Sequence, residues 1–117
     1  MKKLITIDFD DTLCYNDNVK IENAKLINFI NSLPEESYEF YIVTARNKEY
    51  DKIFAQNKID KFVKKHKLPI KKVVYTNGEE KGKTLKKLNS KLHIDNDIDQ
   101  INSCKEYNIK TIYLRNL

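Results

Sequence analysis

Two carboxylates stand two residues apart, directly behind a run of apolar residues: Asp8 and Asp10, in Ile7-Asp8-Phe9-Asp10-Asp11-Thr12-Leu13. Read plainly, they end a strand and cap a helix, and Asp is a good cap. The apolar run would then carry the charge of Asp8 into a buried sheet edge. Read as chemistry, they suit phosphoryl transfer, which needs a nucleophile, charge neutralisation and a proton donor for the leaving oxygen. Asp8 can attack phosphorus to form an aspartyl-phosphate. Asp10 can protonate the leaving group and then deprotonate the attacking water. Two acids this close repel, and a divalent cation relieves the repulsion. Magnesium takes one or two carboxylates plus waters and phosphate oxygens, with Asp95 as the distant carboxylate of its shell. Thr44 offers a hydroxyl, and Lys81 a positive charge, to the non-bridging oxygens. Arg46 can hold a substrate's phosphate or base, or be a surface arginine. Thr44 and Asp95 also read as helix caps, and Lys81 as one solvated lysine among many.

These residues need elements to position them. Leu4–Phe9 reads as a buried strand, and residues 21–33 carry a helical stripe at Ile21, Ala24, Leu26, Ile27, Ile30 and Leu33, ended by Pro34. Phe40–Val43 is the second strand, before Thr44-Ala45-Arg46. Residues 50–66 form the next expected helix, with Ile53, Phe54, Ile59, Phe62 and Val63 inward. Val73–Tyr75 is a strand and Asn77-Gly78 a turn. A helix over 83–88, a strand over 92–94, a helix over 98–107 and a strand over 111–114 follow. Strand and helix alternate five times, with no two adjacent strands close enough for a hairpin. The expectation is an α/β fold: a five-stranded parallel Rossmann-like sheet with helices on both faces, in three layers. Such sheets bind ligands beyond the carboxyl ends of their strands. Asp8, Asp10, Thr44 and Asp95 directly follow expected strands, and Lys81 lies in the loop after the third.

The same residues carry a family resemblance over the whole chain. Asp8-Phe9-Asp10-Asp11-Thr12-Leu13 is similar to the first motif, DxDxT, of the haloacid dehalogenase-like superfamily in its phosphatase branch. Tyr41-Ile42-Val43-Thr44 resembles the second motif, Lys81-Gly82 through Leu85 the third, and His93-Ile94-Asp95-Asn96-Asp97-Ile98-Asp99 the acidic fourth. The resemblance implies Asp8 as nucleophile and metal ligand. It implies Asp10 as acid/base with its main-chain carbonyl on the metal, and Asp95 as the third protein ligand of Mg2+. Asp11 stands where the family often has Gly, and Asn96 where it often has a second acid. Asn96 or Asp99 would then hold a metal-bound water, and Asp11 would bear on loop geometry or substrate choice. Lys83 competes with Lys81, which is preferred because Lys-Gly before a helix is the commoner family form. Segments 14–20 and 76–80, where family members carry cap domains, are too short to fold as one. The capless class, with an open site, is implied. The short 14–20 flap, with Tyr15, can still fold over a small ligand.

The expected function is a magnesium-dependent phosphomonoesterase acting on a small organic phosphate or nucleotide. An open site also suits nucleic-acid 3′-phosphate ends or phosphoproteins, unless a homo-oligomer covers it. A non-catalytic phospho-accepting module is the reading from another class, and it fits poorly because Tyr75-Thr76, not Asp, follows the third strand. The chain of 117 residues, 40% apolar and 33% charged, has a globular composition and reads as one domain over 1–117. No apolar run approaches the ~20 residues of a membrane span, and the first apolar stretch meets Asp8 too early for a signal peptide; a cytoplasmic protein is expected. The net charge of +5 would draw in an anionic substrate, or reflect background composition. The lysines over 61–72 read as a solvated face. Cys14 and Cys104 lack metal-site spacing and read as reduced structural thiols, with Cys14 close enough to the acids to leave modification open. His66 and His93 read as structural.

Overall fold

The computed structural model describes residues 2–15 and 18–114, with 18–20 described by backbone alone. Seven strands and five helices follow one another among them: β1 (Lys3–Ile7), β2 (Cys14–Tyr15), β3 (Asn18–Glu22), α1 (Ala24–Ser32), β4 (Tyr38–Thr44), α2 (Lys48–Ile53), α3 (Lys58–Lys65), β5 (Ile70–Tyr75), α4 (Lys81–Leu88), β6 (Leu92–Asp95), α5 (Ile98–Glu106) and β7 (Thr111–Tyr113). The main sheet has the order β5-β4-β1-β6-β7, and every pair in it is parallel. The chain builds outward from β1 through β4 to β5, then crosses back to β6 on the other side of β1. The carboxyl end of β1 therefore lies at the switch point, where such sheets hold their ligands.

Alternation along each strand assigns the layers. Ile5, Ile7, Phe40, Ile42 and Ile94 pack on one face with Leu26, Ile27 and Ile30 of α1 and Ile59 and Phe62 of α3. Val43 packs on the other with Leu85 of α4 and Cys104 of α5, beside Tyr41 and Val74. Thr6, His93 and Asp95, offset by one from the first set, belong to the α4–α5 face. No helix among the described residues is long and apolar enough to cross a membrane.

Three expectations need correction. Adjacent strands do make a hairpin: β2 and β3 pair antiparallel, Cys14 opposite Glu22 and Tyr15 opposite Asn18. Ile21 therefore lies in β3, 45% exposed, and α1 starts only at Ala24. The buried Asn23 sets that start. Its Oδ1 accepts from Leu26 N at 3.1 Å, and its Nδ2 donates to the Thr12 carbonyl at 2.9 Å, tying the hairpin to the acidic loop. The single helix over 50–66 is two helices, because Gln56 and Asn57 are left-handed (φ 53° and 57°) and break the hydrogen-bond ladder. Ile53 and Phe54, expected inside, are 67% and 72% exposed. The helix expected from Lys83 starts at Lys81.

Candidate active site

Asp8 and Asp10 sit in the loop leaving β1, where the Asp8 amide still donates to the Ile94 carbonyl at 2.9 Å. Asp11 turns this loop with φ 57°, a left-handed position that Gly fills most cheaply and Asp tolerates. Thr12 then folds back, and its Oγ1 donates to Asp8 Oδ2 at 3.0 Å, 3.3 Å from Asn96 Oδ1.

Lys81 is the centre of the arrangement. Its side chain is nearly inaccessible, and Nζ donates to Asp8 Oδ1 at 2.6 Å and Asp95 Oδ2 at 2.8 Å. Lys83 is exposed two positions further along α4, so geometry separates the two lysines. A close helix crossing places Lys81. The Gly82 amide donates to Ser103 Oγ at 3.0 Å, and a Cβ there would stand 2.5 Å from the Ser103 carbonyl oxygen.

Behind Asp95 a buried polar chain runs into the sheet. His93 Nε2 lies 2.8 Å from Asp95 Oδ2, His93 Nδ1 2.8 Å from Thr6 Oγ1, and Thr6 Oγ1 2.8 Å from Ser90 Oγ. An ionised Asp95 only accepts, so Nε2 carries the imidazole proton and Nδ1 accepts from Thr6. Burial holds His93 below the ordinary histidine pKa, as a neutral ring. Burial alone would raise Asp95, but the His93 hydrogen bond and the Lys81 charge outweigh it and hold the carboxyl below its usual range. Burial pushes Asp8 up, with the Asp95 charge adding to the effect and Lys81 opposing it. For Lys81 burial works against the charge, and the two carboxylates outweigh it.

Asp10 faces a different partner. Arg46 Nε and Nη2 donate to its two oxygens at 2.8 and 2.7 Å, while Arg46 Nη1 donates to Asp51 Oδ1 at 2.8 Å. Asp51 is fully buried on α2 and accepts from the Tyr75 hydroxyl at 2.8 Å. Arg46 is thus a fixed fork beside the site and not a loose surface residue. Thr44 is fully buried, and its Oγ1 accepts from the Arg46 amide at 3.2 Å.

Asp8, Asp10, Lys81, Asp95 and Asn96 line one open cavity of about 470 Å3. Thr44 is not among its lining residues. Thr12, Asp51 and Tyr75 had no assigned role in the sequence, and His93 read there as structural. The His93–Asp95 pair was readable there, since residues two apart on a strand share a face. The Cys14 thiol is fully buried, and burial pushes it up to about 11, which removes the reason to expect a modifiable group.

Among the described residues no three acidic, histidine or cysteine side chains converge as a ready metal nest. The oxygens that are present still suit magnesium. Asp8 and Asp95 are two hard carboxylates sharing one ammonium, and the Asn96 amide oxygen, 3.3 Å from Thr12 Oγ1, belongs to the same cavity.

Fold and site together define a parallel α/β protein with a buried carboxylate–lysine–carboxylate cluster at its sheet switch point. Neither a protein-family model nor a curated protein matches this chain.

Proposed function

We propose that this chain is a magnesium-dependent phosphomonoesterase of the haloacid dehalogenase-like type, in its capless form, acting through an aspartyl-phosphate on a small organic phosphate or nucleotide. The observation that carries the reading is the meeting of Asp8, Lys81 and Asp95, from three separate strand–helix units, in one buried cluster at the carboxyl edge of the sheet.

A carboxylate oxygen of Asp8 attacks phosphorus as the ester P–O bond breaks, and the leaving oxygen takes a proton from Asp10. Asp10 then removes a proton from water, whose oxygen attacks the same phosphorus and releases phosphate and the Asp8 carboxylate. Lys81 stabilises negative charge beside the nucleophile, and Thr44, buried at the end of β4, accepts from the Arg46 amide and so helps set the fork that holds Asp10. Both oxygens of Asp10 rest on Arg46, so acid–base work requires Asp10 to leave that fork, which a substrate anion can then take. Magnesium held by Asp8, Asp95 and the Asp10 carbonyl, with Asn96 or Asp99 in its outer shell, would supply charge neutralisation between nucleophile and phosphate. A cytoplasmic setting, which keeps thiols reduced, fits the two free, buried cysteines.

The test is phosphate release from p-nitrophenyl phosphate and a panel of mononucleotides, with magnesium and with chelator. Wild type should turn over only with magnesium, and Asp8→Asn should lose at least roughly a thousandfold in rate. No release from any ester, or an Asp8→Asn variant as active as wild type, refutes the proposal.

A further inference from the structure

The charge of this protein is unevenly placed. Residues 48–72 hold nine lysines against three acids, an excess that accounts for the whole net charge of +5. One of the three acids, Asp51, is buried against Arg46. Part of this charge lines an open groove of about 390 Å3 between α2, α3 and β5, with Lys48, Lys52, Lys64, Lys71 and Lys72 around a single carboxylate, Asp60. Asp60 is paired with Lys52 at 2.7 Å, and Lys71 with Glu39 at 2.8 Å. No carboxylate pairs with Lys48, Lys64 or Lys72 among the described residues. Cations crowded this way repel one another unless an anion lies between them.

The groove adjoins the candidate active site. Tyr75 lines it and donates to Asp51, which holds Arg46, which holds Asp10. Tyr50 on the same α2, and Phe54 just past its end, present their rings to solvent, 60% and 72% exposed, on the side of the helix away from the groove-lining Lys48 and Lys52. The rings stand 5.3 Å apart, tilted by 32°. Exposed aromatic faces and a basic groove carried by one short helix are what single-stranded nucleic acid binds: phosphates follow the lysines, and bases that pass over the helix stack on the rings. An acidic protein surface would match the charge and leave the aromatic pair unexplained.

We propose that α2, α3 and β5 form a binding surface for single-stranded nucleic acid, which leads a strand end carrying a terminal phosphate toward Asp8. That the end is a substrate rests on the phosphatase reading, whereas binding does not. The test uses Asp8→Asn protein, to prevent turnover, and fluorescence anisotropy with a short labelled oligothymidylate bearing a 3′-phosphate. Log affinity should fall with log salt with a slope of about −2, as for three lysine–phosphate contacts on a single strand. Lys64→Glu with Lys72→Glu should weaken binding roughly tenfold or more, and Tyr50→Ala with Phe54→Ala should do likewise. Lys105→Glu, on α5 across the sheet, should leave it unchanged, with thermal melts confirming that each variant folds. A flat salt dependence, unchanged affinity in both double variants, tighter binding of poly-glutamate, or binding of mononucleotides alone overturns the surface. Wild-type turnover of small esters without salt-dependent oligonucleotide binding removes the surface and keeps the phosphatase. Oligonucleotide binding with these signatures, but no phosphate release from any ester, does the reverse.

Discussion

Lys81 shows how much one residue can carry. Its ammonium lies between two buried carboxylates, and removing a partner from such a cluster leaves charge with neither water nor a counter-ion. Lys81→Met should destabilise the fold by about 3 kcal/mol or more, read as a lowered urea midpoint in metal-free buffer; an unchanged midpoint would mean that the cluster is not formed. The sequence already distinguished Asp8, Asp10 and Asp95, because acids directly after apolar strands are costly unless used. It favoured Lys81 over Lys83 only through the family form Lys-Gly before a helix, since both sit near a helix start in a lysine-rich stretch, and the turn of α4 decides which faces the sheet. It could not show Arg46 gripping Asp10, which depends on α2 bringing the buried Asp51 beside the guanidinium.

At the scale of elements, α4 and α5 meet through Gly82. A methyl group there would press on the Ser103 backbone, which cannot step aside as a flexible side chain can. Gly82→Ala should therefore cost about 1–3 kcal/mol, despite Ala's better helix propensity. On the proposed function it should also lower phosphate release by moving Lys81; a more stable variant would show that the crossing is looser than described. The five parallel strands were legible because each is a short apolar run separated by a helical stripe. The β2–β3 hairpin was not: its strands are brief, and Ile21 falls in phase with the α1 stripe by coincidence. The break between α2 and α3 was hidden for a related reason. Left-handed Gln56 and Asn57 have no Gly or Pro to announce them, and Ile53 and Phe54 mimic an inward face while standing in solvent.

For the molecule as a whole, the buried thiols make alkali a sensitive axis. Burial raises Cys14 and Cys104 from 9.0 to about 11, and burial with the Asp51 hydrogen bond raises Tyr75 as well. The unfolded chain releases these protons first, so stability is fully present below pH 9.0 and is lost as pH rises toward about 11. Urea midpoints across that range should fall, with each thiol contributing at most about 1.4 kcal/mol per pH unit. A Cys14→Ala, Cys104→Ala variant should show a shallower decline, and equal slopes would argue against buried thiols. The carboxylate–lysine–carboxylate cluster bears on the order of events in the life of the chain. A zinc finger must meet its metal in order to fold. Here the lysine is a counter-ion encoded in the sequence, present from the moment of synthesis, so folding need not wait for a metal; on the proposed function, the cation would load later, as a separate step open to control.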